Sequence, residues 1–449
     1  MAAELHAACW RGFTLRSRRK ILARAIRMRV ILVNRFFYPD ESATSRMLSG
    51  LAFSLAHEGI EVTALCGCRP GDDESTLGKH TERGVEIVRL SSTKGERHGL
   101  IWRALNDLRF HLRTGLWLLR NVQSRDICVI CTDPPLHSVS AAPAIVFRGG
   151  LMVNWAFDLF PDVAIELGVI QRRRVLARSM LFLRDLSLRS AARIVCPIGS
   201  MAERLVERGH PREKLIVIRL WSNGDEIAPV AANDNPLRQN WGYKDQLVIG
   251  HSGNFGRAHD FTTLIGAANL LKDDPRIQFL LVGNGVKRTE VEEQVRTLGL
   301  SNVSFQPLQP REKLSESMSV ADAHVVSLFP ELESCIVPSK FYGVLAAGRP
   351  TLFVGSREGE VARICADADC GVQVDIGDVN ALTRQILRLR DDPGRRLAMG
   401  QRARNLFLSD YSRQRGMGEW RALLDDLAQP SSGEVSPGIS APQPGGVGK

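Results

Sequence analysis

Apolar and polar positions alternate in blocks along this chain, and the same block order occurs twice. Met28-Arg29-Val30-Ile31-Leu32-Val33 opens an apolar run that predicts a strand over 29–34. A polar loop over 35–43 follows, then a helix over 44–57 that stops at Glu58-Gly59, then a strand from Glu61 to Leu65. The second half repeats the order. A strand over 247–251 leads into a glycine-bearing loop at 252–258, a helix over 260–272, the strand Gln278 to Val282, and Gly283-Asn284-Gly285. Strand–loop–helix units of this length need crossovers, so each half predicts a parallel sheet covered by helices. The fold class is therefore α/β, with two Rossmann-like domains.

Boundaries follow from composition. Asn223 to Leu237 is rich in Asp, Asn, Ala and Pro and reads as a linker. The expected division is a first domain over 28–222, a linker over 223–240, a second domain over 241–408, a helix within 409–428 (Tyr411 to Ala428), and a disordered Pro/Gly/Ser tail over 429–449. Residues 1–27 form a basic extension, Arg-rich and acid-poor from Arg16 to Arg27. In a eukaryote that would suggest a transit peptide. The clean strand at Met28 favours translation starting there.

Composition narrows the partners. The chain has 449 residues, 44% apolar and 24% charged, with a net charge of +10. Nucleic acid, an acidic membrane surface and nucleotide diphosphates all fit such a balance. Aromatics make up 6%, and no basic run is interleaved with them, so nucleic acid is the least supported. The nine cysteines form no paired CxxC pattern and fit reduced thiols in a cytoplasm. No apolar run is long enough to span a bilayer, no metal-ligand cluster is visible, and no cofactor is expected.

Four segments carry candidate chemistry. In Pro338-Ser339-Lys340-Phe341-Tyr342-Gly343-Val344-Leu345-Ala346-Ala347-Gly348-Arg349-Pro350, Pro338 and Ser339 start a helix and Gly348 and Pro350 stop it. Its free N–H groups would make an anion site, with Lys340 adding a full charge. In His251-Ser252-Gly253-Asn254-Phe255-Gly256-Arg257-Ala258-His259-Asp260, glycines let backbone amides approach a diphosphate, and Arg257 offers a bidentate phosphate contact. An ordinary glycine turn with a solvated Arg is the bland alternative. In Tyr38-Pro39-Asp40-Glu41-Ser42-Ala43-Thr44-Ser45-Arg46, Thr44 or Ser45 caps a helix, and Arg46 meets phosphate or solvent. In Asn154 to Glu166, an apolar strand delivers Asp158 to a loop, and Asp162 opens the next helix.

As an ensemble over about 28–428, these segments resemble retaining nucleotide-sugar glycosyltransferases of family 4, which have the GT-B fold. The resemblance implies two Rossmann-like domains facing across a cleft, with the last helix crossing back to the first domain. The form Pro-Ser-Lys-Phe-Tyr-Gly is similar to the subgroup that builds bacterial O-antigen, colanic-acid-like and other exopolysaccharide units. It implies Asp158, Arg257 and Lys340 as catalytic candidates. It implies Gly253, Asn254, Gly256, His259, Gly283, Gly285, Pro307, Leu308, Glu333, Pro338 and Ser339 as donor contacts, and Tyr38, Thr44, Ser45 and Arg46 as cleft-loop contacts. Asn254 and His259 stand where the family usually has Arg and Lys. Cys335 and Gly343 stand where it has two Glu; Glu331 and Glu333, just upstream, could supply a carboxylate, with Glu333 preferred. Trp221, in the hinge stretch Arg219 to Asp225, reads as a packing anchor.

The implied activity is metal-independent, retaining transfer from a nucleotide-diphosphate sugar to a polyprenyl-diphosphate-linked glycan. Other readings are a GT-B epimerase or phosphorylase-like enzyme, and a non-catalytic sugar-nucleotide-binding protein. Two basic amphipathic stretches, 94–120 and 172–189, either lie on anionic lipid at the inner face of the plasma membrane or cover the first sheet.

Overall fold

The computed structural model describes residues 28–40, 42–68, 78–90, 100–171, 174–221 and 227–429, without the side chains of 100–104. The 1–27 extension, the tail beyond Gln429, Asn223 to Glu226 of the expected linker, and Arg172 and Arg173 lie outside the described residues.

Two sheets form. The first contains β1 (Arg29–Val33), β2 (Glu61–Gly67), β3 (Gly78–Glu82), β4 (Val85–Leu90), β5 (Ile127–Cys131), β6 (Leu151–Trp155), β7 (Arg193–Cys196) and β8 (Leu215–Val217). Their order is β3-β4-β2-β1-β5-β6-β7-β8. The second contains β9 (Leu247–Ser252), β10 (Ile277–Val282), β11 (Val303–Gln306), β12 (Ala323–Ser327), β13 (Thr351–Val354) and β14 (Gly371–Val374), in the order β11-β10-β9-β12-β13-β14. All pairings are parallel except the β3–β4 hairpin. That hairpin is the one element type the block pattern did not predict. Val30 to Val33 and Ile127 to Cys131 are buried on both faces, which explains their unbroken apolar runs.

Helix Arg413–Ala428 crosses to the first sheet. Trp420 packs with its ring centroid 4.5 Å from that of Trp155, and Trp155 lies 5.8 Å from Trp221. Arg413 donates to the Gly50 carbonyl at 3.2 Å, and Arg421 pairs with Glu58 at 2.8 Å. The expected helix from Tyr411 starts two residues later. Helix Pro393–Asp410 ends first, and Ser412 accepts from the Arg415 amide to start the next. The later part of the expected linker belongs to the second domain. Asn235 caps helix Pro236–Asn240 and donates to the Glu316 carbonyl at 2.8 Å.

Gly416 is where the crossing helix touches Trp221. A Cβ there would lie 2.3 Å from Trp221 Cε3, whereas one at Gly418 would meet nothing within 4 Å. Gly416→Ala is therefore expected to destabilise by about 1–3 kcal/mol through overpacking. Gly418→Ala should stabilise by up to about 1 kcal/mol through helix propensity. Urea midpoints followed by tryptophan fluorescence should move in opposite directions, and a shared sign would refute this packing.

Candidate functional site

In open parallel sheets, ligands bind outside the carboxyl ends of the strands, where strand order reverses. The reversals fall between β1 and β5 and between β9 and β12. The segments after β1, β9 and β12 meet at a cavity of about 440 Å³ lined by Arg46 and Met47 from one side and by Ser252, Gly253, Asn254, His259, Ser339 and Lys340 from the other. Its apolar wall includes Leu308, Leu314, Met318, Ile227 and Trp221.

Among the described residues the charge in this cavity has one sign: Arg46 and Lys340 line it, and no Asp or Glu does. Lys340 Nζ lies 3.3 Å from His251 Nε2 and 3.3 Å from the Asn254 carbonyl oxygen. His251 is buried and also bonds the Val325 backbone, which leaves Nε2 to accept from the lysine. Burial and the nearby Lys340 charge hold His251 well below the usual imidazole range. The same causes lower His259 to about 3. With two neutral imidazoles and no carboxylate beside it, Lys340 is pushed by burial down to about 7. An anion entering here would supply the missing countercharge.

Two loops frame the cavity and are bonded to each other. Gly253 N–H donates to the Val282 carbonyl at 2.9 Å, Phe255 N–H to Asn284 at 2.9 Å, and Lys287 N–H to Phe255 at 3.0 Å. A Cβ on Gly283 (φ 139°) would lie 1.9 Å from the Gly253 carbonyl oxygen. One on Gly285 (φ 151°) would lie 2.4 Å from Asn254 Oδ1. These two glycines allow the loops to close on each other and do not line the cavity, contrary to expectation. Gly256 likewise packs on Asn254 and His259.

Of the other expected contacts, Asn254, His259, Ser339, Leu308 and Arg46 line the cavity. Pro338 sits just before helix Lys340–Ala346, which starts two residues later than expected. Pro307 is exposed and its carbonyl accepts from Gln309. Asp260 accepts from the Thr262 and Thr263 amides, so the helix expected at 260 begins at Thr262.

Six expected residues need correction. Arg257 does not join Lys340; it is exposed and lines a separate opening of about 610 Å³. Asp158 faces a pocket of about 20 Å³ with Thr132, His137 and Asn154, room for about one water. Its carboxyl is raised by burial, against the Thr132 hydroxyl. Its backbone instead bridges Ile336, and Leu159 N–H donates to the Cys335 carbonyl at 2.9 Å. Glu333 turns away to accept from the Ser356 amide at 3.0 Å, and burial raises its carboxyl to about 7. Tyr38 packs edge-on to Phe53 with centroids 5.6 Å apart, and Thr44 does not line the cavity. Ser45 is buried and donates to the Asp40 carbonyl, and Ser42 caps the helix in its place.

Two family models divide the chain. "Glycosyl transferase 4-like domain" matches residues 42–221, and "Glycosyl transferases group 1" matches residues 234–406. The chain belongs to glycosyltransferase family 4. Its two sheets are the two halves of the GT-B fold. The chain is 30% identical over 168 residues to an Escherichia coli (strain K12) protein named as a colanic acid biosynthesis glycosyl transferase, WcaI, covering 37% of this chain and 41% of that one. It is 25% identical to a glycosyltransferase-named protein of Pseudomonas aeruginosa, WbjE, over 65% of this chain and 73% of the relative. Sucrose-phosphate synthase from Thermosynechococcus elongatus superposes with a TM-score of 0.71 at 16% identity, over 89% of this chain and 99% of that one. Anabaena HepE in complex with UDP-glucose superposes with a TM-score of 0.66 at 15% identity, over 89% and 100%.

Against the family pattern, Cys335 is buried and its thiol pushed up to about 11, so it stands neutral at that position. Gly343 lines the cavity, where a Cβ would meet Met318 Cε at 3.5 Å, an ordinary contact. The sequence reading missed His251, although the last residues of a strand at an order reversal are the ones that reach a ligand. It also missed the Ile227, Leu314 and Met318 wall, because their apolar character is that of any core residue.

Lys340 makes a stability prediction. Its folded pKa lies below its unfolded value of 10.5, so the folded state loses a proton that the unfolded chain keeps. That penalty is fully present below about pH 7 and is relieved as pH rises toward 10.5. Lys340→Met should therefore be more stable than the parent at about pH 6.5, with the gap narrowing by about pH 9.5. Urea unfolding at both pH values checks this, and a gap that widens with pH would refute it.

Proposed function

We propose that this chain transfers a sugar from a nucleotide-diphosphate donor to a glycan acceptor in bacterial surface polysaccharide biosynthesis, with the diphosphate held at Lys340. The observation that carries this is the single-signed cavity. Two cations and, among the described residues, no carboxylate, beside an apolar wall of base-sized reach, match a ligand that is anionic at one end and flat and apolar at the other. The naming of HepE in complex with UDP and with UDP-glucose supports a nucleotide sugar as that ligand. The names of the colanic acid and lipopolysaccharide core relatives support the pathway class.

The residues suit a reaction whose difficulty is charge on the leaving diphosphate. Lys340 is poised to take a proton as the anion binds and so to present a full charge where negative charge grows. Arg46, which makes no ion pair among the described residues, adds a second cation from the first domain. We propose that transfer retains configuration, with the leaving diphosphate assisting deprotonation of the acceptor hydroxyl. Among the described residues no group of three or more His, Cys, Asp and Glu is placed to hold a metal, and Lys340 offers the charge that a cation would otherwise bring. We expect transfer to persist in EDTA, and its full and reversible loss would overturn metal independence.

UDP binding tests the site directly. Lys340→Ala should lose roughly 1.5–3 kcal/mol of UDP affinity, the range for a charged hydrogen bond. Calorimetry near pH 8, in two buffers of different ionisation enthalpy, should show net proton uptake in the parent and none in the variant. Unchanged affinity in the variant would sink the assignment.

The acceptor is proposed to be lipid-linked, and the first domain supports a membrane-docked enzyme. Helix Leu100–Asn121 buries Phe110, Thr114 and Leu118 yet exposes Leu105, Leu108, Leu112, Leu116 and Leu119 on another stripe. Helix Val175–Arg189 buries Ala177, Arg184, Ser187 and Leu188 while Phe182, Leu183 and Leu186 are exposed. Covering the sheet thus explains one face of each helix and leaves an apolar face with exposed Arg109, Arg120, Arg178 and Arg189 nearby. No described helix is long and apolar enough to cross a membrane. A surface of this kind suits anionic lipid. Co-sedimentation with vesicles containing phosphatidylglycerol should fall with salt, and Leu112→Glu with Phe182→Glu should abolish it. Equal binding to neutral vesicles, or an unaffected double variant, would argue against this surface.

A further inference from the structure

The second opening, which holds Arg257, has a different chemistry from the donor cavity. It is about 610 Å³ and straddles the domains. Glu166 and Leu167 come from the first domain, and Arg257, Lys287, Glu290, Phe329 and Glu331 from the second. The 252–259 loop is shared between the two openings. Ser252, Gly253, Asn254 and His259 line the donor cavity, and Arg257 lines the other.

It carries both signs, two cations and three carboxylates. Glu166 is held by Arg204 at 2.8 Å. Lys287 donates to the His259 carbonyl at 3.2 Å and stands over the Phe329 ring at 5.3 Å. Arg257, Glu290 and Glu331 make no ion pair among the described residues. A site for a diphosphate would not carry unpaired carboxylates, since each would repel it. A site for a cation would not carry Arg257 and Lys287. Donors and acceptors of both signs around a half-covered aromatic ring suit a neutral polyol, whose hydroxyls both give and take hydrogen bonds.

We infer that this opening is a saccharide subsite that holds a sugar of the acceptor glycan, with Arg257 and Glu331 bonding its hydroxyls. The inference rests on the proposed transferase reading. It reassigns Arg257 from the donor diphosphate to the acceptor. Leu167, on the opening's first-domain side, precedes in the chain the exposed Val169, Val175 and Leu176, the last two at the start of helix Val175–Arg189.

The test uses the full chain, saturated with UDP, and a panel of methyl glycosides of glucose, galactose, N-acetylglucosamine, rhamnose and fucose as probes. Saturation-transfer NMR should detect at least one glycoside. Arg257→Ala and Glu331→Gln should each weaken it about three- to tenfold, what one lost hydrogen bond gives. Both variants should bind UDP as the parent does, while Lys340→Ala should not. Thermal unfolding identifies any variant that misfolds, and Arg257→Gln then replaces Arg257→Ala. Loss of UDP affinity in Arg257→Ala equal to that in Lys340→Ala would return Arg257 to the donor site and overturn the inference. So would a panel that does not bind, or that binds all variants equally. Glycoside binding that depends on Arg257, in a protein that transfers from no donor, would uphold the subsite and sink the transferase reading instead.

Discussion

A lysine ammonium with no carboxylate partner among the described residues governs this structure. Lys340 is carried into the cleft by helix Lys340–Ala346, whose Phe341, Tyr342, Val344 and Leu345 are at most 3% exposed. Those apolar side chains anchor the helix, so the lysine cannot retreat to water without unpacking it. What it meets is a nitrogen lone pair and a carbonyl, not a carboxylate. Desolvation therefore falls on the charged form, and any dianion that enters relieves it. The bonded loops serve the same end. Gly283 and Gly285 let the 283–285 backbone close against 253–255, which fixes the Asn254 carbonyl beside the lysine. The favourable core and the unfavourable charge are two ends of one seven-residue helix.

The cleft is pinned at several places by bonds between the domains. The Gly199 amide donates to Glu360 at 3.2 Å, the Ser200 hydroxyl to the Glu333 carbonyl at 3.2 Å, and Arg204 to the Ser334 hydroxyl at 3.0 Å. Leu159 N–H adds its bond to Cys335. Each such bond contributes about 0.5–1.5 kcal/mol, so their sum is within reach of thermal opening, whereas the Trp155–Trp221–Trp420 cluster is not. Opening about the tryptophan side, with the polar side parting, is the motion this distribution favours.

Much of this was legible in the chain. Runs buried on both faces announced parallel strands, and glycines after strands announced the loops, because both follow from local rules. The Lys340 segment was found for the same reason, whereas the crossing of the last helix came from the family resemblance and not from local pattern. The errors share a cause. Asp158, Glu333, Tyr38 and Arg257 each sit in the right loop, but loop membership does not fix where a side chain points. Asp158 turns into the first domain because its own backbone pairs with Ile336, a contact 178 positions away that no local pattern encodes. Gly283 and Gly285 were read as ligand contacts, when the need for glycine comes from another backbone 1.9 to 2.6 Å from the missing Cβ. The β3–β4 hairpin was missed because Gly78–Glu82 is an exposed, polar edge strand without alternation.

The two openings on either side of the 252–259 loop differ in sign pattern more than in size. Among the described residues one is lined by cations without carboxylates, the other by both signs. A transferase must hold a charged donor and a hydroxylated acceptor within bonding distance yet keep each from the other's site. Sign pattern achieves this without a physical gate. A diphosphate is repelled by Glu290 and Glu331, and a neutral sugar gains nothing from an uncompensated lysine. The loop between them then does two jobs: its backbone carbonyl at Asn254 bonds the lysine on one side, and its Arg257 side chain faces the acceptor on the other. Phe255 is buried and bonded at both its amide and its carbonyl, so the loop is held in place rather than free to close as a lid. Selectivity between the two substrates is thus set by charge placement on a rigid wall, and movement is left to the domains.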